Sequence, residues 1–179
     1  MGDAGSGDLY PASARIRVAS STTDADLILT LRLQDPGGKE ISLVSAIDPR
    51  GVLGAGWLRA SHRELDEKRS LPYQPFHPHT QAQPLIPGQA VDVDVEIWPT
   101  SIVVPPGHRL GVTVAGSDFE MPGDGPWPVL YGIENRGNGV FVHDDPDDRP
   151  AGTFDGTTTV YTGPESGTSL LLPVIPAGT

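Results

Sequence analysis

The ten residues from Ala90 to Pro99, AVDVDVEIWP, decide the fold class. Aliphatic side chains alternate with carboxylates through this stretch. Successive side chains of a strand point to opposite faces, so a period of two places the aliphatic residues on one face and the carboxylates on the other. The stretch therefore predicts a half-buried β-strand, preceded by the Pro87-Gly88 turn and ended by Pro99. Its inward side chains are Val91, Val93, Val95 and Ile97, and its outward side chains are Asp92, Asp94 and Glu96.

The same alternation recurs on both sides of this strand. The segment 25–35, ADLILTLRLQD, places leucine at every second position from Leu27 to Leu33. The Pro36-Gly37-Gly38 turn then predicts a return strand over 39–47, because proline presets φ and glycine accepts positive φ. Further strands are predicted over 13–19, 108–118, 139–142, 157–161 and 168–175. Only the charged segment 63–70 is predicted to form a helical turn or two.

Composition agrees with an all-β chain. The 22 glycines and 19 prolines among 179 residues interrupt helices repeatedly. Seven to ten strands without alternating helices exclude a parallel α/β sheet and predict an antiparallel β-sandwich of the jelly-roll type. We expect residues 1–12, rich in glycine and serine, to be a flexible lead-in and residues 13–179 to form one domain.

Charge and residue types narrow the partners. A formal net charge of −11 argues against nucleic acid and against an anionic membrane surface. The chain has no cysteine, which excludes disulfides, thiolate metal sites and a cysteine nucleophile. No apolar run approaches the roughly 20 residues that span a bilayer, and the N-terminus lacks the basic, apolar start of a signal peptide. We therefore expect a cytoplasmic protein, with secretion as the alternative.

Candidate catalytic residues are scarce. No serine has glycine at both the second preceding and the second following position, so the nucleophile elbow of an α/β-hydrolase is missing and we assign no catalytic residue. Asp144, Asp145 and Asp147 form an acidic cluster that is a weak candidate for Ca²⁺, although a solvated loop is the favoured interpretation. His77 and His79 have the same two interpretations, a zinc site or polar residues in an extended segment. We expect no cofactor.

Residues 56–119 carry a longer pattern. LRASHR at 58–63 is followed by a proline-spaced segment ending in PLIPG at 84–88, then by EIWPT at 96–100, PGHRL at 106–110 and SDF at 117–119. This order closely resembles the C-terminal non-catalytic domain of X-Pro dipeptidyl-peptidases and cocaine-esterase-like serine hydrolases. The resemblance implies a jelly-roll β-sandwich, similar to galactose-binding domains, that accompanies an α/β-hydrolase domain carrying the whole Ser-Asp-His triad. That catalytic domain, in the same or a separate chain, is the expected partner, and homo-oligomers are a second candidate.

The remaining candidates lie in the proline-rich segment and at two tryptophans. Five prolines keep Ser70 to Gly88, which we call the arm, extended at low entropic cost. We predict that the arm docks on the catalytic domain, and its predicted contact residues are Tyr73, Phe76, His77 and His79. Trp57 and Trp98 are predicted interface or ligand residues. The alternatives are a carbohydrate-binding jelly-roll module, in which tryptophan stacks on sugar, and an independent metal- or carboxylate-based enzyme.

Overall fold

The structure, a computed structural model, describes residues 11–44, 48, 50–137 and 142–175. Within these residues the chain forms ten β-strands, one short α-helix and one 3-10 turn at Ala60–His62. The elements are β1 (Ala12–Ser20), β2 (Asp26–Gln34), β3 (Glu40–Ile41), β4 (Gly54–Arg59), β5 (Val91–Ile97), β6 (Arg109–Ala115), β7 (Val129–Leu130), β8 (Ile133–Glu134), α1 (Ala151–Phe154), β9 (Thr158–Tyr161) and β10 (Ser169–Leu171).

The longer strands form two antiparallel sheets. In sheet A, β1 is central, β5 pairs along one side of it, and β10 and β9 pair in tandem along the other. In sheet B, β2 is central, β6 pairs along one side, and β4 and β3 pair in tandem along the other. The short strands β7 and β8 form a separate hairpin. The predicted all-β antiparallel architecture is confirmed.

The core lies between the two sheets. Every second residue of the central strands is buried in a single hydrophobic cluster, as the period-two pattern predicts. The strand residues of this cluster include Ile16 and Val18 of β1, Leu27, Leu29, Leu31 and Leu33 of β2, and Val93, Val95 and Ile97 of β5. Both sheets bury one face in this way, so the fold is a β-sandwich.

The outer faces of the two sheets differ. On sheet A, Arg15 and Arg17 lie directly opposite Asp94 and Asp92 and pair with them at 2.9 and 3.1 Å. Such cross-strand ion pairs are typical of a solvated face. On sheet B, the outward residues Ile28 and Thr30 of β2 are almost fully buried, at 4 % and 1 % exposure. Loops therefore cover the outer face of sheet B.

The two sheets approach most closely where β4 passes β5. The backbone N–H of Trp98 donates to the carbonyl oxygen of Ala55 at 3.0 Å. A Cβ atom on Gly56 would overlap the carbonyl oxygen of Glu96. Glycine is therefore required at position 56 by close backbone approach rather than by its φ angle.

Several boundaries differ from the sequence-based expectations. The predicted return strand over 39–47 is present only as β3 and an isolated bridge between Leu43 and Gly51, and residues 45–47 lie outside the described part. The predicted strand over 139–142 lies outside it except for Val142. The expected lead-in, 1–12, also lies mostly outside it, and β1 begins at Ala12. The segment 63–70 makes one hydrogen-bonded turn at Asp66, whereas the α-helix falls at α1.

Candidate docking surfaces

A buried carboxylate organises one end of sheet B. Asp26, only 8 % exposed, accepts a hydrogen bond from Nε of Arg59 at 2.9 Å and forms an ion pair with Nε of Arg149 at 2.6 Å. Asp148 bridges the same two guanidinium groups, at 2.8 and 3.0 Å. Asp26 and then Asp148 raise the pKa of Arg59, and Arg59 in turn lowers the pKa of Asp148. The network ties the acidic loop to the sandwich.

The acidic cluster in that loop is a turn. The Oδ1 of Asp145 accepts from the backbone N–H of Asp147 at 2.9 Å, and the backbone N–H of Arg149 donates to the carbonyl oxygen of Asp145 at 2.9 Å. Across the described residues, no three histidine, aspartate or glutamate side chains are arranged to hold a metal ion. The structure therefore does not bring Asp144, Asp145 and Asp147 together as a ligand set.

A cavity of about 280 Å³ adjoins this network. His143 lies in its wall, with Nδ1 2.8 Å from Oδ1 of Asp118 and its ring 5.8 Å from that of Trp57. A histidine oriented by an aspartate is part of a hydrolytic triad, but the described residues that line this cavity include no serine, threonine or cysteine. The pair therefore lacks a nucleophile at this cavity.

Three histidines lie close together beside this cavity: His62, and His77 and His79 of the arm. The ring centroid of His79 lies 5.2 Å from that of His62 and 5.9 Å from that of His77. Desolvation, followed by repulsion from His62 and His77, lowers the pKa of His79. The His77 ring is occupied within the domain, since Nδ1 lies 3.0 Å from the carbonyl oxygen of Glu64 and Nε2 lies 2.8 Å from that of Asp94.

The arm lies along its own sandwich. Its backbone is fixed near both ends, where Ser13 Oγ donates to the carbonyl oxygen of Pro72 at 2.9 Å and the N–H of Leu85 donates to that of Thr23 at 2.7 Å. Leu85 is buried at 3 % exposure. Phe76 stacks under the guanidinium of Arg69, with Cζ 3.5 Å from the ring centroid, and Tyr73 is half-buried. The arm also presents Leu71 and Ile86 to solvent, at 46 % and 65 % exposure.

A second cavity, of about 450 Å³, lies over the outer face of sheet B, and we call it the groove. Trp57 and Trp98 meet in its wall, with ring centroids 5.1 Å apart and planes at 75°. Trp98 is 52 % exposed and Val44, on the same wall, is 82 % exposed. The two tryptophans chosen from sequence are therefore neighbours in one surface.

Sequence reasoning missed the ionic network and the β7–β8 hairpin. Arg59 lies within the LRASHR motif, which offered a signal, but no residue pattern marked Asp26 as its partner. Tyr131, at the tip of the hairpin, is 86 % exposed with φ 54°. No residue pattern marked this turn, because Tyr-Gly is not among the pairs typical of two-residue hairpin turns.

These features define an all-β sandwich domain with two candidate contact surfaces, the arm and the groove. The chain belongs to the family described as the X-Pro dipeptidyl-peptidase C-terminal non-catalytic domain, whose model matches residues 11–171. The resemblance inferred from residues 56–119 is confirmed.

The names of known proteins similar to this chain are consistent with that family. Two proteins named "putative serine esterase", from Mycobacterium bovis and Mycobacterium tuberculosis, are each 34 % identical over 97 residues, covering 48 % of this chain. Two crystal structures of a CocE/NonD family hydrolase from Staphylococcus aureus match 93 % and 94 % of this chain with a TM-score of 0.72 and 26 % identity. The match spans 15 % of the length of the mycobacterial proteins and 28 % of the solved hydrolase.

Among the described residues, no helix has the length and apolar character needed to cross a membrane.

Proposed function

We propose that this chain acts as the accessory C-terminal β-sandwich domain of a serine hydrolase of the X-Pro dipeptidyl-peptidase or acyl-esterase type. In this proposal it packs on the catalytic domain and shapes access to the active site. The observation that carries it is the match to a family of non-catalytic domains over residues 11–171. The match of nearly the whole chain to 28 % of a solved hydrolase supports the same view.

The arm suits a docking role because it is held in place before any partner arrives. The ring of His77 contacts the carbonyl oxygen of Asp94, and Leu85 is buried in the sandwich, so both residues fix the arm. Leu71 and Ile86 face solvent. An element ordered in advance loses little conformational entropy on binding. Tyr73, Phe76 and His79 are the proposed contact residues, and His77 holds the arm in position.

Activity assays of two polypeptides test this function. We expect the 179-residue chain to show no esterase or X-Pro peptidase turnover, and a longer polypeptide that carries the catalytic domain to be active. In that longer polypeptide, the double change Tyr73→Ala and Phe76→Ala should lower activity or its half-life on heating. The control is Arg17→Ala, at an exposed ion pair elsewhere on sheet A. Serine-dependent cleavage by the short chain alone would contradict the proposal.

The carbohydrate-binding alternative is favoured by one observation, the half-exposed ring of Trp98. It is the weaker of the two because the 75° angle between Trp57 and Trp98 gives no single flat platform for a sugar ring. A glycan array decides between them. Binding that is lost in Trp98→Ala would support the sugar module, and silence across the array would remove it.

A further inference from the structure

We propose that the groove over sheet B, together with the tip of the β7–β8 hairpin, is a second surface, besides the arm, on which the catalytic domain docks. This inference rests on the proposed function and specifies a surface distinct from the arm. It assigns contact roles to Trp98, Val44 and Tyr131.

The groove is an apolar concavity with exposed large side chains around it. Its wall includes Trp57, Trp98, Leu43 and Val44, and three of these are more than one third exposed. By contrast, the outer face of sheet A carries the exposed Arg15–Asp94 and Arg17–Asp92 pairs. Large apolar side chains gathered around a concavity mark an interaction site, whereas alternating ion pairs mark a solvated face.

The groove has little charge to offer a polar ligand. The carboxylate of Asp48 accepts from the backbone N–H groups of Arg50 at 2.8 Å and Gly137 at 3.0 Å. The carboxylate of Asp118 is taken by the ring and the backbone N–H of His143. Since both carboxylates are used within the domain, the surface they leave suits the apolar and aromatic side chains of a protein partner.

Tyr131 supplies an independent observation. The register Leu130↔Ile133 leaves Tyr131 and Gly132 as a two-residue turn, with φ of 54° and 81°. Such turns favour Asn-Gly because positive φ is costly for a bulky side chain. At 86 % exposure, Tyr131 gains little packing within this domain to offset that cost. A strained, exposed aromatic residue is therefore better explained by contact with a partner.

The hairpin and the groove belong to one loop layer. The N–H of Asn135 donates to the carbonyl oxygen of Pro128 at 2.8 Å, which closes the hairpin. Gly137, two residues further on, donates to Asp48 in the groove wall. Arg50 lies over the ring of Trp127, with Cζ 4.2 Å from its centroid, and links the same two segments.

The catalytic domain is the occupant that the relatives support. The chain matches 28 % of the solved hydrolase, so most of that chain lies outside the matched part. The matched family is a non-catalytic one, so the catalytic residues of such enzymes lie in the remainder. A domain that docks on the unmatched part of such a hydrolase needs a contact surface for it. The groove and the hairpin tip form an apolar surface of this kind on sheet B.

Hydroxyl-radical footprinting tests the surface directly. The 179-residue chain and the longer polypeptide with its catalytic domain are oxidised in parallel, and the rates at Trp98 and Tyr131 are read by mass spectrometry. We expect both rates to fall several-fold in the longer polypeptide, while the rate at Tyr161 on β9 stays the same. Protection of Tyr161 with unchanged Trp98 and Tyr131 would overturn the inference. Protection of Trp98 that grows with the concentration of the short chain would assign the groove to a second copy and also overturn it.

Activity measurements on variants distinguish failure of this inference from failure of the proposed function. In the longer polypeptide, Trp98→Gln and Tyr131→Asn should each shorten the half-life of activity on heating, whereas Tyr161→Gln should not. If the arm variant Tyr73→Ala/Phe76→Ala impairs activity and these two do not, the groove is excluded and the accessory role stands. If none of the variants impairs activity and no residue is protected, the proposed function itself fails.

Discussion

Asp26 is the residue on which the largest single-site electrostatic effect is expected. Asp26→Asn keeps the shape of the side chain but removes the charge that faces both Arg59 and Arg149. Removing one partner of a buried ion pair costs about 3–5 kcal/mol. Because the two guanidinium groups are 24 % and 18 % exposed, we expect a somewhat smaller loss, about 2–4 kcal/mol. Urea unfolding measures it.

The matched control is Asp92→Asn. This carboxylate pairs with Arg17 in an ion pair whose side chains are 46 % and 43 % exposed. Exposed pairs contribute about 0–1 kcal/mol, so the control should lose less than about 1 kcal/mol. Equal losses in the two variants would show that Asp26 does not organise this end of sheet B.

His79 gives the fold a sensitivity to acid. Its pKa is lowered from 6.5 by desolvation and by His62 and His77. Between the folded and unfolded pKa values the unfolded chain binds more protons, so stability falls as the pH drops through that window, beginning near 6.5. We expect His79→Asn to flatten the fall in free energy of unfolding between about pH 7.5 and 5. Asparagine tolerates the φ of 52° at this position, so the change adds no backbone strain.

Urea denaturation across this pH range is the measurement. Above the window the difference between the two proteins should no longer change with pH. Parallel pH profiles for the wild-type protein and His79→Asn would refute the role of this histidine.

At the residue scale, the sequence identified candidate contact residues better than it identified the residues that they contact. Trp57 and Trp98 were selected from residue type, Trp98 also because it follows the outward register of its strand, and both line the groove. The link from Asp26 to Arg149 joins β2 to a loop close to the C-terminal strands, and no local pattern encodes a contact of that span. His77 was expected to face a partner, and whether it does so is untested, but both of its ring nitrogens are already taken by backbone carbonyl groups of the domain.

Leu85 is a buried apolar anchor of the arm. Leu85 is 3 % exposed and its neighbour Ile86 is 65 % exposed. Truncation of a buried leucine to alanine costs about 2–5 kcal/mol, so we expect Leu85→Ala to lose about 2–4 kcal/mol. Ile86→Ala should stay within about 0.5 kcal/mol. Urea unfolding compares the two variants, and similar losses in both would mean that the arm is not anchored at Leu85.

The β4–β5 approach depends on one glycine. Gly56→Ala would drive a methyl group into the carbonyl oxygen of Glu96, and the backbone must move to admit it. We expect a loss of about 3 kcal/mol or more, at the upper end for overpacking. Gly111→Ala in β6 is the matched control because nothing lies within 4 Å of its added Cβ. It should be neutral or stabilising by less than about 1 kcal/mol. Thermal unfolding that shifts equally in both variants would contradict the close approach.

Element prediction succeeded where alternation was clean and turns were conventional. β1, β2, β5 and β6 follow period-two runs, and proline or glycine lies near at least one end of each, so their burial could be read from sequence. The β7–β8 hairpin has only two residues per strand and a Tyr-Gly turn, so neither its strands nor its turn gives the usual signal. The helix α1 is only four residues long, so no helical period could be recognised in the sequence.

At the scale of the whole molecule, the outer faces of the two sheets differ. The outer face of sheet A is covered by interactions within the domain, and the outer face of sheet B carries the proposed contact surface. Sheet A is closed outward by ion pairs and by the arm, and the network at Asp26 fixes the acidic loop. The loop layer of sheet B instead holds the groove and a strained hairpin tip. A domain that docks on a partner can carry such a surface, because contact with the partner offsets its cost in the isolated domain.

Tyr131 allows that balance to be measured. In the 179-residue chain, Tyr131→Asn replaces a bulky residue at φ 54° with one that accepts this conformation, and it removes an exposed aromatic ring. We expect the free energy of unfolding to rise by about 0.5–1 kcal/mol, a fraction of the cost usual for a strained residue. Gly132→Ala, in the same turn, is the control with the opposite sign, since alanine at φ 81° should lose about 1 kcal/mol. Urea unfolding of the three proteins ranks them. If Tyr131→Asn were less stable than the wild-type chain, the tyrosine would be serving the isolated fold, and its assignment to a partner would lose its physical basis.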